Sequence, residues 1–372
     1  MAVRVLSVVG ARPQFVKAAA LSKVIREYDE EILVHTGQHY DYEMSQAFFD
    51  VLDIPKPDYN LEVGSGTPCQ QVGNIVLKLD GILEDTDPDI VLTYGDTNST
   101  LGGALAAVKA GYPMAHVEAG LRSYNREHPE EINRVVTDHL SNILFAPTSV
   151  SVNNLAKEGI TKNVFMVGDV MVDALMFGSK VALQRSDVLD RFKLSEKEYV
   201  VATIHRPSNT DRRENLSKIV SAMIGSGERI VFPIHPRTEK MLREFHIMES
   251  LRNARTIVIS KPLDYIDFMR LLMGAKKVLT DSGGIQKEAY VLKVPCISAR
   301  KETEWIETVE DGWNVLVGAD EKKIVDAIAN FDPSGIQKSS FGDGKAAIRI
   351  ARILHEGLKG IIEADRPGQP GD

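Results

Sequence analysis

The chain has 372 residues, 43% of them hydrophobic and 26% charged, with a formal net charge of −8. This is the composition of a soluble globular protein large enough for two ordinary domains. The acidic balance excludes a nucleic-acid partner, which wants a basic face, but allows a nucleotide held by a local cluster of cations. Cys69 and Cys296 lie far apart with no CxxC pattern, so no disulfide framework or zinc site is expected and a reducing, cytoplasmic setting fits. The first residues enter a strand at once without a signal peptide, and no apolar run reaches membrane-span length.

Residues 3–9 form an apolar, β-branched run that predicts a first strand, followed by a helix over 15–28. Further strands are expected at 31–35, 90–94, 114–118, 143–146 and 164–167, with helices between them, for example at 69–84 and 98–110. An irregular, charge-mixed stretch near 180–198 then separates this series from a second, with strands at 199–204, 229–234, 256–259, 277–280, 295–299 and 314–317. Apolar strands separated by helices predict parallel sheets covered on both faces. The expected fold class is therefore α/β, with two Rossmann-like doubly wound domains and a cleft between them. The first spans 1–175 with a closing helix at about 346–362, the second spans 190–345, and the boundary lies near 170–195. Residues 363–372 read as a disordered tail.

Ligands of such sheets sit at the carboxyl ends of the strands, so the residues that follow strands are the candidates. After the first strand comes Gly10-Ala11-Arg12-Pro13-Gln14-Phe15-Val16-Lys17, which is not GxGxxG and removes the main support for a nicotinamide dehydrogenase. Arg12 falls in the turn and Lys17 one turn into the helix, where a cation opposes the helix dipole and calls for a compensating anion. Taken singly, either could as well be a solvated surface charge. Asp96, after the next inner strand, reads on its own as a helix cap. Glu118 ends a buried strand, a poor structural choice unless it is paired or functional. Glu130 and Glu131 open a helix, where acidic residues are ordinary. Together these sources could still supply acid and base on two faces of a substrate.

In the second series His205-Arg206 and His235-Pro236-Arg237 follow successive strands, an arrangement suited to anion binding or proton transfer. Asp281-Ser282-Gly283-Gly284 follows another strand, and a helix is expected from Ile285. Such a turn seats a phosphate on helix N–H groups. An isolated Ser-Gly-Gly is more often a plain corner with serine as the cap. Glu288, one turn further on, suits the two hydroxyls of a ribose and favours a nucleoside diphosphate.

The motifs GARPQFVK, HTGQHYD, YGDTNSTL, HVEAGLRS, PEEINR, ATIHRPSNTD, HPRT, TDSGGIQKEA and RKETEWIE occur in this order over almost the whole chain. In these the chain resembles the non-hydrolysing UDP-N-acetylglucosamine 2-epimerases. The resemblance implies a GT-B arrangement with UDP in the cleft, a homodimer, a role in polysaccharide biosynthesis, and no metal or other cofactor. It implies that Arg12, Lys17, His205 and His235 surround the UDP, that Ser282, Gly283 and Gly284 hold its phosphates, and that Glu288 holds its ribose. Phe268 falls where the family packs an apolar residue on the uracil. Asp96, Glu118 and Glu130 would be the catalytic carboxylates, with Glu130 favoured over Glu131 and His205 beside the leaving phosphate. Many members read GTRPE, HRRE and TERPE where this chain has GARPQ, HRPS and TEWIE. This variant set looks closer to the subgroup acting on UDP-2,3-diacetamido-2,3-dideoxyglucuronate. The bacterial regulatory site for a second UDP-sugar uses a QHRE segment and the second Arg of HRRE. This chain has Gln38-His39-Tyr40-Asp41 and Pro207 there, so activation by substrate is not expected.

The implied reaction removes the C2 proton while UDP leaves C1, giving a 2-acetamidoglucal. It then returns a proton to the opposite face of C2 as UDP adds back. Two rival expectations share the UDP seat: a GT-B glycosyltransferase and a catalytically silent UDP-sugar sensor.

Overall fold

The computed structural model describes residues 2–38, 55–333, 335–358 and 360, with Arg12 and Pro13 described as backbone. The chain divides into two compact units, residues 1–177 with 339–372, and residues 178–338.

The first unit is built on seven parallel strands: β1 (Arg4–Val9), β2 (Glu30–His35), β3 (Tyr59–Asn60), β4 (Ile90–Tyr94), β5 (Met114–Val117), β6 (Ile143–Ala146) and β7 (Val164–Met166). Their order is β3-β2-β1-β4-β5-β6-β7. Neighbouring residues of β1, Val5 and Leu6, Val8 and Val9, are all fully buried, so the strand is covered on both faces. Each such side chain contributes roughly 1.5–3 kcal/mol on burial.

The second unit repeats the plan with β8 (Val200–Thr203), β9 (Ile230–Pro233), β10 (Ile257–Ser260), β11 (Lys277–Thr280), β12 (Cys296–Ser298) and β13 (Asn314–Leu316). All are parallel, in the order β10-β9-β8-β11-β12-β13. Lys277 sits buried in this sheet because its ammonium donates to the carbonyls of Ala327 and Ile328, 3.2 and 2.7 Å away, at the end of helix Glu321–Asn330. The negative end of that helix compensates the buried charge, although burial still pulls the lysine below its ordinary pKa.

In both sheets the chain reverses its direction of strand addition beside the first strand: between β1 and β4, and between β8 and β11. At such switch points the loops diverge and leave a crevice.

Several elements differ from the sequence expectation. The first helix begins at Arg12 rather than Phe15, with Pro13 in its first turn, where the missing N–H costs nothing. The stretch near 180–198 is largely helical, in Val170–Arg185 and Val188–Phe192. Its charged residues face solvent while Ala182, Val188 and Leu189 are buried. Strand β5 stops at Val117, and Glu118 takes a left-handed φ of 76°. The closing helix is Ala346–Arg352, continued by a π-helical turn over Ile353–Gly357. Asp173 accepts the N–H groups of Ala346 and Ala347 at 3.2 and 3.0 Å, which ties this helix to the first unit. The tail expected beyond residue 362 lies outside the described residues.

Candidate active site

In the first unit the carboxyl ends of β1, β4 and β5 carry the charged groups. Lys17, 7% exposed, is paired with Glu118. The anion that the helix position of Lys17 demands is thus supplied within the chain. Gly95 makes room for the pair. It has a φ of +65°, and a Cβ there would lie 3.2 Å from both Glu118 Oε2 and Lys17 Nζ.

Asp96 follows Gly95, but Thr97 provides the helix cap by accepting from Thr100 N–H. Asp96 is held instead by helix Pro129–Leu140. Arg134 donates to its carboxylate at 2.5 Å and Asn133 to its backbone carbonyl at 2.9 Å. This helix turns a polar face inward, with Glu131, Asn133, Thr137 and Asp138 all buried.

The two adjacent glutamates separate clearly. Glu131 accepts from Ser123 N–H at 2.8 Å, Ser123 Oγ at 2.9 Å, Tyr124 N–H at 2.8 Å and Arg134 at 3.0 Å. Burial works against its charge, but these donors outweigh burial and hold its carboxyl below the ordinary range. Glu130 is exposed in the first turn of the same helix.

Beneath both turns lies a buried polar network. His116, wholly buried in β5, has Nδ1 2.7 Å from Asp138 Oδ1 and Nε2 2.7 Å from the Gly95 carbonyl. Asp138 also accepts from Gly120 N–H at 3.0 Å and pairs with Arg122 at 2.7 Å. Burial opposes ionisation of Asp138, but His116 and Arg122 outweigh it and keep its carboxyl below the usual value. Arg122 in turn grips Glu158 through two bonds of 2.7 Å.

Gln14 ties the turn after β1 to the end of β4. Its side-chain oxygen accepts from Gly10 and Ala11 N–H at 2.8 and 3.0 Å. Its amide nitrogen donates to the Tyr94 carbonyl at 2.7 Å and to Thr100 Oγ1 at 3.0 Å. An amide both accepts and donates here, which the glutamate of GTRPE, when ionised, could not do. Of Arg12 only the backbone, at the start of this helix, is described. Gln38 accepts from Ser99 N–H and Oγ at 3.0 and 2.6 Å, whereas the other residues of the expected regulatory segment, His39, Tyr40 and Asp41, lie outside the described residues.

In the second unit the switch point is organised by Asp281, fully buried. It accepts from His205 N–H at 3.0 Å, Arg206 N–H at 3.0 Å and Asn209 at 3.0 Å, so the turn after β8 is fastened to the turn after β11. The ring centroids of His205 and His235 are 5.7 Å apart. Burial lowers the His205 pKa, Asp281 opposes this, and His235 and Arg206 add to the lowering. His235 Nδ1 accepts Arg237 N–H at 3.2 Å, which leaves Nε2 to carry the ring proton in the neutral form. Arg237 itself is taken by Asp211, at 3.1 and 2.5 Å.

The helix after β11 begins at Gly283, two residues earlier than expected, and runs to Val291. Ser282 stands at its cap position but makes no side-chain cap bond. Gly284 is exposed, and Glu288 is half-buried on the same helix. A Cβ on Gly283 would collide with Glu304 Oε1, so one of the chain's own carboxylates lies over this helix end. Its other oxygen accepts from Arg300 at 2.7 Å. Phe268 packs, partly buried, against the core that includes Tyr199, Val201 and Leu271.

Sequence reasoning missed His116, Asp138, Asn133 and Arg134. The spacing of Glu131, Arg134 and Asp138, three and four residues apart, was the available signal for one polar helix face.

The model of the UDP-N-acetylglucosamine 2-epimerase family matches residues 23–355. A UDP-N-acetylglucosamine 2-epimerase homolog of Methanococcus maripaludis is 50% identical, over 94% of this chain and 99% of its own. A UDP-2,3-diacetamido-2,3-dideoxy-D-glucuronate 2-epimerase of Pseudomonas aeruginosa is 42% identical, over 94% of this chain and 99% of its own. The solved structure of the Methanocaldococcus jannaschii UDP-GlcNAc 2-epimerase in complex with UDP-GlcNAc and UDP superposes with a TM-score of 0.82 at 41% identity. It covers 96% of this chain and 100% of that one. The chain therefore belongs to the UDP-N-acetylglucosamine 2-epimerase family, a family of isomerases.

Proposed function

We propose that the chain interconverts UDP-GlcNAc and UDP-ManNAc at C2, by loss and return of UDP. The observation that carries this reading is the gathering of Asp96 and Glu118, each on a turn at the carboxyl edge of one sheet and each matched with a cation. A sugar C2–H is too weakly acidic for removal on its own. Removal of that proton as the C1–O bond breaks places the electron pair in a C1–C2 double bond, and UDP departs as the anion. The neutral 2-acetamidoglucal then takes a proton at C2 on its other face while UDP re-forms the bond to C1. Atoms and charge balance without a redox change.

In this reading Asp96, Glu118 and Glu130 supply the base and acid, each worth roughly 10²–10⁴-fold. Arg12, Lys17, His205, His235 and the N–H groups at Ser282, Gly283 and Gly284 take up the charge of the departing diphosphate. Glu288 holds the ribose and Phe268 lies against the uracil. Glu304 would give way to the diphosphate on binding, since two anions at one helix end repel. The homodimer, the cytoplasmic location and the role in polysaccharide biosynthesis belong to the same proposal. Among the described residues no helix is long and apolar enough to cross a membrane.

The relative from Pseudomonas aeruginosa and the GARPQ, HRPS and TEWIE variants favour a second reading, the same epimerisation on UDP-2,3-diacetamido-2,3-dideoxyglucuronate. Supplying each sugar nucleotide separately and separating the C2 epimers by chromatography tests both. Conversion of UDP-GlcNAc to a manno product supports the first. Conversion of the uronate alone supports the second, and inertness toward both would sink the epimerase proposal.

A further inference from the structure

We propose that the buried His116–Asp138 pair is a positioning device that sets both carboxylate-bearing turns for the reaction. This rests on the reading of Asp96 and Glu118 as the reacting carboxylates. His116 Nε2 is 2.7 Å from the carbonyl of Gly95, the peptide immediately before Asp96. Its Nδ1 is 2.7 Å from Asp138, whose second oxygen takes the N–H of Gly120, two residues beyond Glu118, at 3.0 Å. One chain of hydrogen bonds therefore runs from the Asp96 turn through a histidine and an aspartate to the Glu118 turn.

Both turns depart from strand dihedrals. Gly95 and Glu118 have φ values of 65° and 76°, and Gly120 has 81°. Both ring nitrogens of His116 face acceptors, the Gly95 carbonyl on one side and the Asp138 carboxylate on the other. A side-chain amide in place of the ring could reach only one of these two acceptors. Arg122 and Glu158 complete the charge pattern behind Asp138. Through these bonds His116 acts on the backbone of the two turns.

The test uses the full-length chain with His116→Asn, His116→Gln and Asp138→Asn, measuring kcat, KM, UDP affinity by calorimetry and thermal melting. His116→Asn keeps a donor near Nδ1 and loses the Gly95 bond, whereas His116→Gln keeps a donor that reaches toward the Gly95 carbonyl. A misplacement of about 1 Å costs on the order of 10²-fold. The expected result is a fall in kcat of about that size for His116→Asn, with KM and UDP affinity changed less than about threefold. His116→Gln should recover about tenfold of the loss. Unchanged kcat in a folded His116→Asn protein would overturn the proposal, as would equal losses in both histidine variants that track melting temperature. If His116→Asn does not fold, Asp138→Asn decides: a lower kcat at unchanged UDP affinity supports the proposal, and an unchanged kcat overturns it. Wild-type protein inert on both sugar nucleotides would instead overturn the functional reading, and this proposal with it.

Discussion

Arg134 holds the Asp96 carboxylate at 2.5 Å while its neighbour Asn133 holds the Asp96 backbone carbonyl at 2.9 Å. One helix thus fixes both the charge and the peptide of a single residue, a degree of restraint that suits a reacting group better than a surface charge. Asp96→Asn keeps the shape and removes one of the carboxylates proposed to exchange the C2 proton. Turnover should fall by roughly 10²–10⁴-fold while UDP affinity, measured by calorimetry, stays within a few-fold. A large loss of UDP affinity would place Asp96 in the nucleotide seat instead.

Glu130 and Glu131 should behave oppositely. Glu131 is buried under four donors, so Glu131→Gln should lower the unfolding free energy by about 1–3 kcal/mol. Glu130 is exposed, so Glu130→Gln should leave stability within about 0.5 kcal/mol of wild type. Its kcat should nevertheless fall by roughly 10²–10⁴-fold. Denaturant melts alongside steady-state kinetics separate the two. A stable but inactive Glu131→Gln protein would transfer the chemistry to that residue.

This pair also shows what could be read in advance. The strands and the turns after them are local features, written in apolar runs and in glycine, and they were legible. The residue types in PEEINR did not divide the labour by themselves, because first-turn acids look alike. Only the resemblance favoured Glu130, and the contacts of Glu131 with Ser123, Tyr124 and Arg134 are what set the two apart. His116 was hidden in the apolar context of β5, and its partner Asp138 lies 22 residues away. Asp281 could be assigned to a turn, but its role as the anchor for His205 and Arg206 depends on a contact across 75 residues or more. Strand β3, two residues long, is too short to show any periodicity.

Gln14 is a case where one atom decides. Its amide nitrogen faces the Tyr94 carbonyl at 2.7 Å, so Gln14→Glu would set a carboxylate against a carbonyl in a site only 1% exposed. The expected loss is about 1–3 kcal/mol or more, read as a lower melting temperature at pH 7.5 that partly recovers at acid pH as the glutamate protonates. A melting temperature equal to wild type at both pH values would contradict the assigned donor.

The pH dependence of stability carries a mark of His205. Folding lowers its proton affinity, chiefly through burial, so the neutral ring favours the fold above its unfolded pKa of about 6.5. That contribution is lost as the pH falls through the lower, folded value, because the unfolded chain takes up the proton first. Wild type should therefore lose melting temperature more steeply than His205→Gln as the pH is lowered below about 6.5. The difference should be small, since the ring is partly open to solvent. Parallel curves would show that burial does not disfavour the charged ring.

The most direct test of the elimination mechanism follows C2 itself. UDP-GlcNAc is incubated with the chain in D2O and examined by NMR, with the diacetamido uronate as second substrate. The expected result is a manno product carrying deuterium at C2, with the label also entering recovered starting material as the reaction reverses. A product that keeps its original proton at C2, or no exchange with either substrate, would contradict proton removal coupled to departure of UDP.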